Sequence, residues 1–461
     1  MDAGMSQLHM AMYPWFAIGH ITAYLHLANK LAERGHKISF ILPKRTKARV
    51  EHINLHPQLI SFIPITIPPV DGLPPHAETI FDASISLGTF IMTAMDRTEK
   101  DIELILLELK PNIVFFDYTC WMPNLTRSLG IKSVHYITLS MIFESYMECM
   151  EKQFRENNSV GNELNLENPP AGFPDPSIKL QAHEVRQLTS IVNSEFGSGV
   201  RYYDRISTST RLSDAVAFRS CREIEEPYAD FLESSYGKPL WLSGPVLPEA
   251  HAFTLEEKWA EWLSGFKDGS VVYCAFGSEC RLHQDQLKEL LLGLELTGFP
   301  FLAALKAPVG FESVEAAMPK GFHERVRGRG IVHGGWVQQT LILDHPSVGC
   351  FITHCGAASL LEALVSRCQI VVLPNFIDQL LNARMISRSI KAGVQVEKGE
   401  EDGLFTKESV CRAVKTVMDF ESEVGKEVRE NHLKLRNLLL TKDLEKSYID
   451  SFCHKLQELV G

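Results

Sequence analysis

Two short stretches in the N-terminal half carry side chains suited to acid–base chemistry. In YPWFAIGHI, Tyr13 to Ile21, a single Gly19 precedes His20 where a helical pattern begins. A helix N-terminus favours the neutral form of a histidine, because the dipole opposes positive charge. Neutral imidazole is what a general base needs near neutral pH. In NIVFFD, Asn112 to Asp117, an apolar run ends in an acid. A carboxylate there can orient His20 and stabilise the imidazolium it becomes. Taken singly, each has a structural reading too: His20 as a hydrogen-bonded capping residue, Asp117 as an N-cap.

The second half holds two strand-to-helix turns suited to a phosphate. Phe276-Gly277-Ser278 offers a hydroxyl and free backbone N–H groups. FITHCGAASLLEAL, Phe351 to Leu364, delivers Thr353-His354-Cys355-Gly356 to the start of a helix. Gly356 lets the backbone approach closely. The N–H groups of the following turn, Ser359 Oγ and His354 can contact a diphosphate. Glu362, one turn on, can accept from vicinal ribose hydroxyls. The alternative is a buried strand followed by an ordinary capped helix.

These residues need elements to position them. Leu8–Tyr13, Lys37–Leu42, Asn112–Asp117 and Ser133–Leu139 read as strands. A helix from about Ile21 to Arg34 carries Ile21, Leu25, Ala28 and Leu31 at 3.6-residue spacing, and a long helix is expected over 85–109. Asn157–Ser177 reads as a loop, and LWLSGPVLPEAHA near Leu240–Ala252 as an interdomain linker. A second alternating series follows, with strands at Ser270–Gly277, Phe301–Leu305, Gly330–His333, Val348–His354 and Gln369–Leu373, and closing helices to Val460. The expectation is an α/β protein with two doubly wound, Rossmann-like domains facing a cleft. The boundaries are 1–240 for an N-terminal domain, 241–255 for the linker, 256–440 for a C-terminal domain, and 441–461 for a helix packing back on the first.

Composition narrows the class. The 461 residues carry 45% hydrophobic and 22% charged side chains, as a soluble globular protein does. A formal charge of −11 argues against nucleic acid as a partner. No apolar run reaches the roughly 18 residues of a membrane span. The first residues lack the pattern of a secretory signal. The ten cysteines form no C-x-x-C pair, so reduced thiols in the cytoplasm are expected. G-x-G-x-x-G is absent from the first βα turn, which disfavours a nicotinamide-dependent oxidoreductase. A serine hydrolase is disfavoured by the absence of a G-x-S-x-G elbow.

The span WVQQTLILDHPSVGCFITHCGAASLLEALVSRCQIVVLPNFIDQ, Trp336 to Gln379, resembles the signature box of plant UDP-sugar-dependent glycosyltransferases. Gly19-His20 and Asp117 fall where that family places its dyad. The resemblance implies a GT-B fold, with the acceptor in the N-terminal domain and the UDP-sugar in the C-terminal one. It implies inversion at the anomeric carbon and no metal or cofactor, the UDP-sugar being a co-substrate. It implies that Trp336 stacks on uracil, with Val337 at the base edge. Gln339 and Glu362 would hold the ribose. Ser278, His354, Gly356 and Ser359 would hold the diphosphate. Asp378 and Gln379 would bind the transferred sugar. His20 would take the acceptor proton, oriented by Asp117.

The chain departs from the family pattern at Gln338, usually Pro, at Ala357-Ala358, usually Trp-Asn, and at Ile377, usually Gly. Ala358 lacks an amide worth about 1 kcal/mol toward a phosphate, and Ala357 empties volume beside the sugar. The phrases MYPWFAIGHITAYLHLANKLAERGHKISFILP, FPDPSIKL, VVYCAFGSE and GWVQQ resemble the branch-forming members. These add a sugar to the sugar of a flavonoid or anthocyanin glycoside, for example by 2″-O-glucosylation of an anthocyanidin 3-O-glucoside. UDP-rhamnose or UDP-xylose as donor, another phenolic glycoside as acceptor, or an aglycone hydroxyl, remain open alternatives. Trp15, Tyr118, Trp121 and Tyr136 can stack on a flat phenolic acceptor, or be core residues.

Overall fold

The computed structural model describes residues 6–83, 85–157, 168–247 and 254–461. It divides into two compact units. One comprises Met1–Val160, Thr189–Pro248 and Thr441–Gly461, the other Gly161–Leu188 and Glu249–Leu440.

The first unit is built on a parallel sheet in the order β3-β2-β1-β4-β5-β6-β7. The strands are β1 (His9–Tyr13), β2 (Lys37–Pro43), β3 (Ile60–Ile65), β4 (Ile113–Phe116), β5 (Lys132–Ile137), β6 (Ala215–Phe218) and β7 (Leu240–Leu242). The central strands β4 and β6 are buried at every residue, as sheets covered on both faces require. Helix α1 (Ile18–Ala32) buries Ile21, Leu25, Ala28 and Leu31 against Met10 and Met12 of β1 and Phe115 of β4. The same core takes in Ile449, Phe452, Cys453 and Leu456 of the Lys442–Val460 helix. Lys30 of α1 also pairs with Glu445 at 3.1 Å.

The second unit repeats the plan. Its parallel sheet runs β10-β9-β8-β11-β12-β13. These are β8 (Val271–Ala275), β9 (Phe301–Ala304), β10 (Gly330–His333), β11 (Val348–Thr353), β12 (Gln369–Val372) and β13 (Gly393–Gln395). The segment 168–188 belongs to this unit through Arg384, which donates to Glu184 at 2.7 Å and to the Lys179 carbonyl at 3.0 Å.

In each sheet the order reverses between two adjacent strands: β1 and β4 in the first, β8 and β11 in the second. Crossovers leave in opposite directions there, opening a crevice at the strands' carboxyl ends. Tyr13 lies opposite Phe116, and Thr353 opposite Ala275. The residues following these pairs therefore emerge level with one another.

Two expectations are corrected. The long helix over 85–109 is two α-helices, Gly88–Asp96 and Glu99–Leu109. The break comes at Thr98, whose hydroxyl bonds the Met95 carbonyl at 2.6 Å and Tyr13 OH at 2.6 Å. The linker reading began too early, because Leu240–Leu242 is the last strand of the first sheet. Residues 248–253 of that linker, and 158–167 of the loop read at 157–177, lie outside the described residues.

Candidate active site

His20 sits in the first turn of α1, directly beyond β1. Asp117 follows β4 and is almost wholly buried. Their side chains meet, His20 Nδ1 to Asp117 Oδ2, at 2.6 Å. Thr138, the residue after β5, reaches the same ring nitrogen with its hydroxyl at 2.8 Å. The Trp15 N–H also points at Asp117 Oδ2, at 3.4 Å. An Nδ1–H donating to a buried carboxylate fixes the tautomer in which Nε2 is the basic nitrogen.

An aromatic cluster surrounds the dyad. Tyr118 lies 5.7 Å from the His20 ring and meets Trp15 edge-on at 5.8 Å and Phe196 edge-on at 5.5 Å. Phe196 in turn contacts Trp15 at 5.2 Å and Tyr202 at 5.7 Å. Loop residues 196 and 197 are tied down by the buried Arg205, which donates to both carbonyls and pairs with Asp96. Trp121 is half-buried and packs against Tyr13 at 6.2 Å. Tyr136 is a different case. It is 0% exposed, sits in the core with Tyr24, Phe115 and Phe452, and spends its hydroxyl on Ser243 at 2.9 Å. Its strand position points it into the packed face, away from any surface an acceptor could reach.

In the second unit, Gly277-Ser278 follows β8 and His354-Cys355-Gly356 follows β11. A Cβ at Gly277 would lie 3.0 Å from His354 Cε1, and one at Gly356 2.8 Å from His354 Nε2. The imidazole therefore lies between two backbones that only glycine lets approach. Burial pushes the His354 pKa down to about 4, partly offset by the Ala275 backbone. It is thus a neutral hydrogen-bonding group at neutral pH. Cys355 takes a left-handed φ of 71°, which swings the chain from β11 into the Ala357–Val365 helix. Its thiol is held far above the usual range by burial, so it is not a nucleophile.

Ala357, Ala358 and Ser359 form the first turn of that helix. Gln339 Nε2 donates to Glu362 Oε2 at 2.6 Å and approaches Ser359 Oγ at 3.4 Å. Gln339 Oε1 accepts from Tyr273 OH at 3.2 Å. Trp336 is 68% exposed while Val337 is buried, so this loop presents an indole face beside an anchored backbone. Gln338 anchors it further, accepting from the Glu256 N–H at 2.7 Å and donating to the Thr254 carbonyl at 3.1 Å.

Beyond β12, Asp378 opens the Asp378–Arg384 helix. Gln379 Oε1 accepts from the N–H groups of Asn375, at 3.1 Å, and Phe376, at 3.4 Å. Lys398 Nζ donates to the Pro374 carbonyl. Between these ties Ile377 has φ 56° and ψ −128°, a conformation strained for a β-branched residue.

The structure thus gathers His20, Asp117, Trp15 and Tyr118 in one unit. It gathers Gln339, His354, Gly356, Ser359 and Glu362, with Gly277-Ser278, in the other. Thr138, Phe196, Tyr202 and Tyr273 were not singled out from the sequence. Only Thr138 carried a usable signal, a hydroxyl at the carboxyl end of the strand next to that of Asp117.

The fold is that of GT-B enzymes. UGT73P12 of Glycyrrhiza uralensis, complexed with glycyrrhetinic acid 3-O-monoglucuronide, superimposes with a TM-score of 0.82 over 98% of this chain and 96% of its own, at 22% identity. Residues 268–443 match the family model described as UDP-glucoronosyl and UDP-glucosyl transferase. The chain is 57% identical over 458 residues to a cyanidin 3-O-galactoside 2″-O-xylosyltransferase of Actinidia chinensis var. chinensis, covering 99% of this chain and 100% of the relative. It is 54% identical over 464 residues to an anthocyanidin 3-O-glucoside 2″-O-glucosyltransferase of Ipomoea nil, covering 100% of both. The chain belongs to the UDP-glycosyltransferase family and is an enzyme that transfers a sugar from a UDP-sugar co-substrate. Among the described residues, no helix is long and apolar enough to cross a membrane.

Proposed function

We propose that the protein transfers a sugar from a UDP-sugar to the 2″-hydroxyl of the sugar on an anthocyanidin or related flavonoid 3-O-glycoside. What carries the reading is identity of 57% and 54%, over essentially the whole chain, to relatives whose names state that reaction. A cytoplasmic setting fits the ten cysteines, all of them free thiols.

His20 Nε2 takes the proton of the acceptor hydroxyl, and the buried Asp117 stabilises the imidazolium that forms. The oxygen attacks C1 of the donor sugar from the face opposite the diphosphate, so the anomeric centre inverts as UDP leaves. Negative charge growing on the diphosphate meets the backbone N–H groups at the start of the Ala357–Val365 helix. The Ser278 and Ser359 hydroxyls and the neutral His354 ring add fixed donors, so no reorganisation is needed as charge develops. Trp336 stacks on uracil, and Gln339 with Glu362 holds the ribose diol. Asp378 accepts from sugar hydroxyls, while Gln379, whose Oε1 is spent on its own loop, offers its NH2 group. Trp15, Tyr118 and Trp121, with Phe196, line the acceptor's aromatic part.

Gln379 favours glucose as the transferred sugar, and the emptied Ala357 position opens UDP-xylose and UDP-rhamnose. The test is a grid of these three donors against cyanidin 3-O-glucoside, cyanidin 3-O-galactoside, quercetin and quercetin 3-O-glucoside. Mass spectrometry would read transfer and NMR the linkage. Transfer to the 3-O-glycosides with a 1→2 linkage is expected. Transfer only to the aglycones would overturn the reading.

A further inference from the structure

A buried amide outside the residues assigned so far joins two turns of the second unit. Asn382 lies in the Asp378–Arg384 helix and is 1% exposed. Its Nδ2 donates to the Cys355 carbonyl at 3.0 Å and to Asp378 Oδ2 at 3.1 Å. One acceptor belongs to the left-handed turn after β11, which aims the Ala357–Val365 helix. The other is the carboxylate presented after β12. The two acceptors settle which way the amide faces, since the reversed amide would set Oδ1 against two oxygens. That orientation has a cost, because Oδ1 is buried and accepts from no group among the described residues. An apolar side chain of the same size would avoid the cost, so the two donated bonds are what the position supplies.

Neighbouring contacts say what they hold. The backbone from Pro374 to Phe376 is already fixed, by Lys398 and by Gln379 Oε1. Ile377 then carries the chain through its strained φ of 56° into Asp378. The bond from Asn382 Nδ2 to Asp378 Oδ2 then ties the carboxylate itself to the same frame.

We propose that Asn382 is a positioning residue that latches the Asp378 carboxylate to the turn after β11, so that the sugar and diphosphate parts of the donor are read in one fixed register. The proposal rests on Asp378 contacting the transferred sugar. Removing the latch takes away this bond to the carboxylate and loosens sugar recognition, while uracil, ribose and diphosphate contacts persist.

The experiment is calorimetric titration of UDP, UDP-glucose and UDP-xylose into the full chain, which requires no acceptor. Asn382→Leu keeps the volume and removes the unsatisfied oxygen, and Asn382→Ala serves if the leucine variant misfolds. Whichever UDP-sugar binds the wild type more tightly is expected to weaken about tenfold, as loss of a charge-assisted bond implies. UDP itself should change less than about threefold. In an Asp378→Ala background the Asn382 substitution should have no further effect. Equal weakening of UDP and UDP-sugar, or the same loss in both backgrounds, would reduce Asn382 to a structural residue and overturn the proposal. If Asp378→Ala alone left UDP-sugar affinity unchanged, the sugar role of Asp378 would be the part that failed.

Discussion

His20 is held at one nitrogen by two oxygens, Asp117 Oδ2 and Thr138 Oγ1. In the proposed mechanism that arrangement commits Nδ1 to orientation and leaves proton transfer to Nε2. His20→Ala should therefore lower kcat by about 10²–10⁴-fold while UDP binding by calorimetry stays near wild type. Wild-type turnover in that variant would dismiss the base assignment. The other residue of special interest is Ala357, at the start of the Ala357–Val365 helix. In the proposed donor site Ala357→Trp adds bulk beside the sugar, so the ratio of kcat/KM for UDP-glucose against UDP-xylose and UDP-rhamnose should change. An unchanged ratio would show that this position does not select the donor.

At the scale of elements, the second unit's site depends on backbone approach as much as on side chains. Gly277 has φ 70°, and any Cβ there meets the His354 ring. Gly277→Ala combines strain with that contact, so it should weaken UDP binding and lower the melting temperature together. Retained UDP affinity would mean that His354 yields without loss. Ile377 shows the opposite bargain, a β-branched residue kept at positive φ. Such strain persists only where surrounding contacts over-determine it, as Lys398, Gln379 and Asn382 do here.

The whole molecule carries a pH dependence in its buried histidines. Burial holds His135 down to about 3 and His354 to about 4, against 6.5 for an ordinary histidine. His36 and His432 are lowered by the same cause. As pH falls below about 6.5 the unfolded chain binds protons that these folded histidines refuse, so stability is lost progressively down to about pH 3, the folded value of His135. Melting temperature should thus fall through that window. His135→Gln, which removes the most depressed of the group, should flatten the fall, and an unchanged slope would assign it to other groups.

Most of the site was legible because its residues stand at strand ends, and strand ends are marked by apolar runs. NIVFFD and the run before His354 name Asp117 and the turn after β11 without any coordinates. The short strands β6, β7 and β13 were not, since three or four residues show no period. The break at Thr98 was hidden because a tertiary bond to Tyr13 decides it, not helix propensity.

By itself the sequence determined the alternating α/β plan, the residue types at the carboxyl ends of β1, β4, β8 and β11, and the resemblance that led to the family. Those follow from local pattern and residue type. Tertiary structure alone decided that Thr138 joins the dyad, that Tyr136 faces the core with Phe452, and that Asn382 reaches the Cys355 carbonyl. Each is a contact between segments remote in sequence or on different faces of one strand. Sheet order and side-chain direction settle such contacts, and neither is written in local spacing.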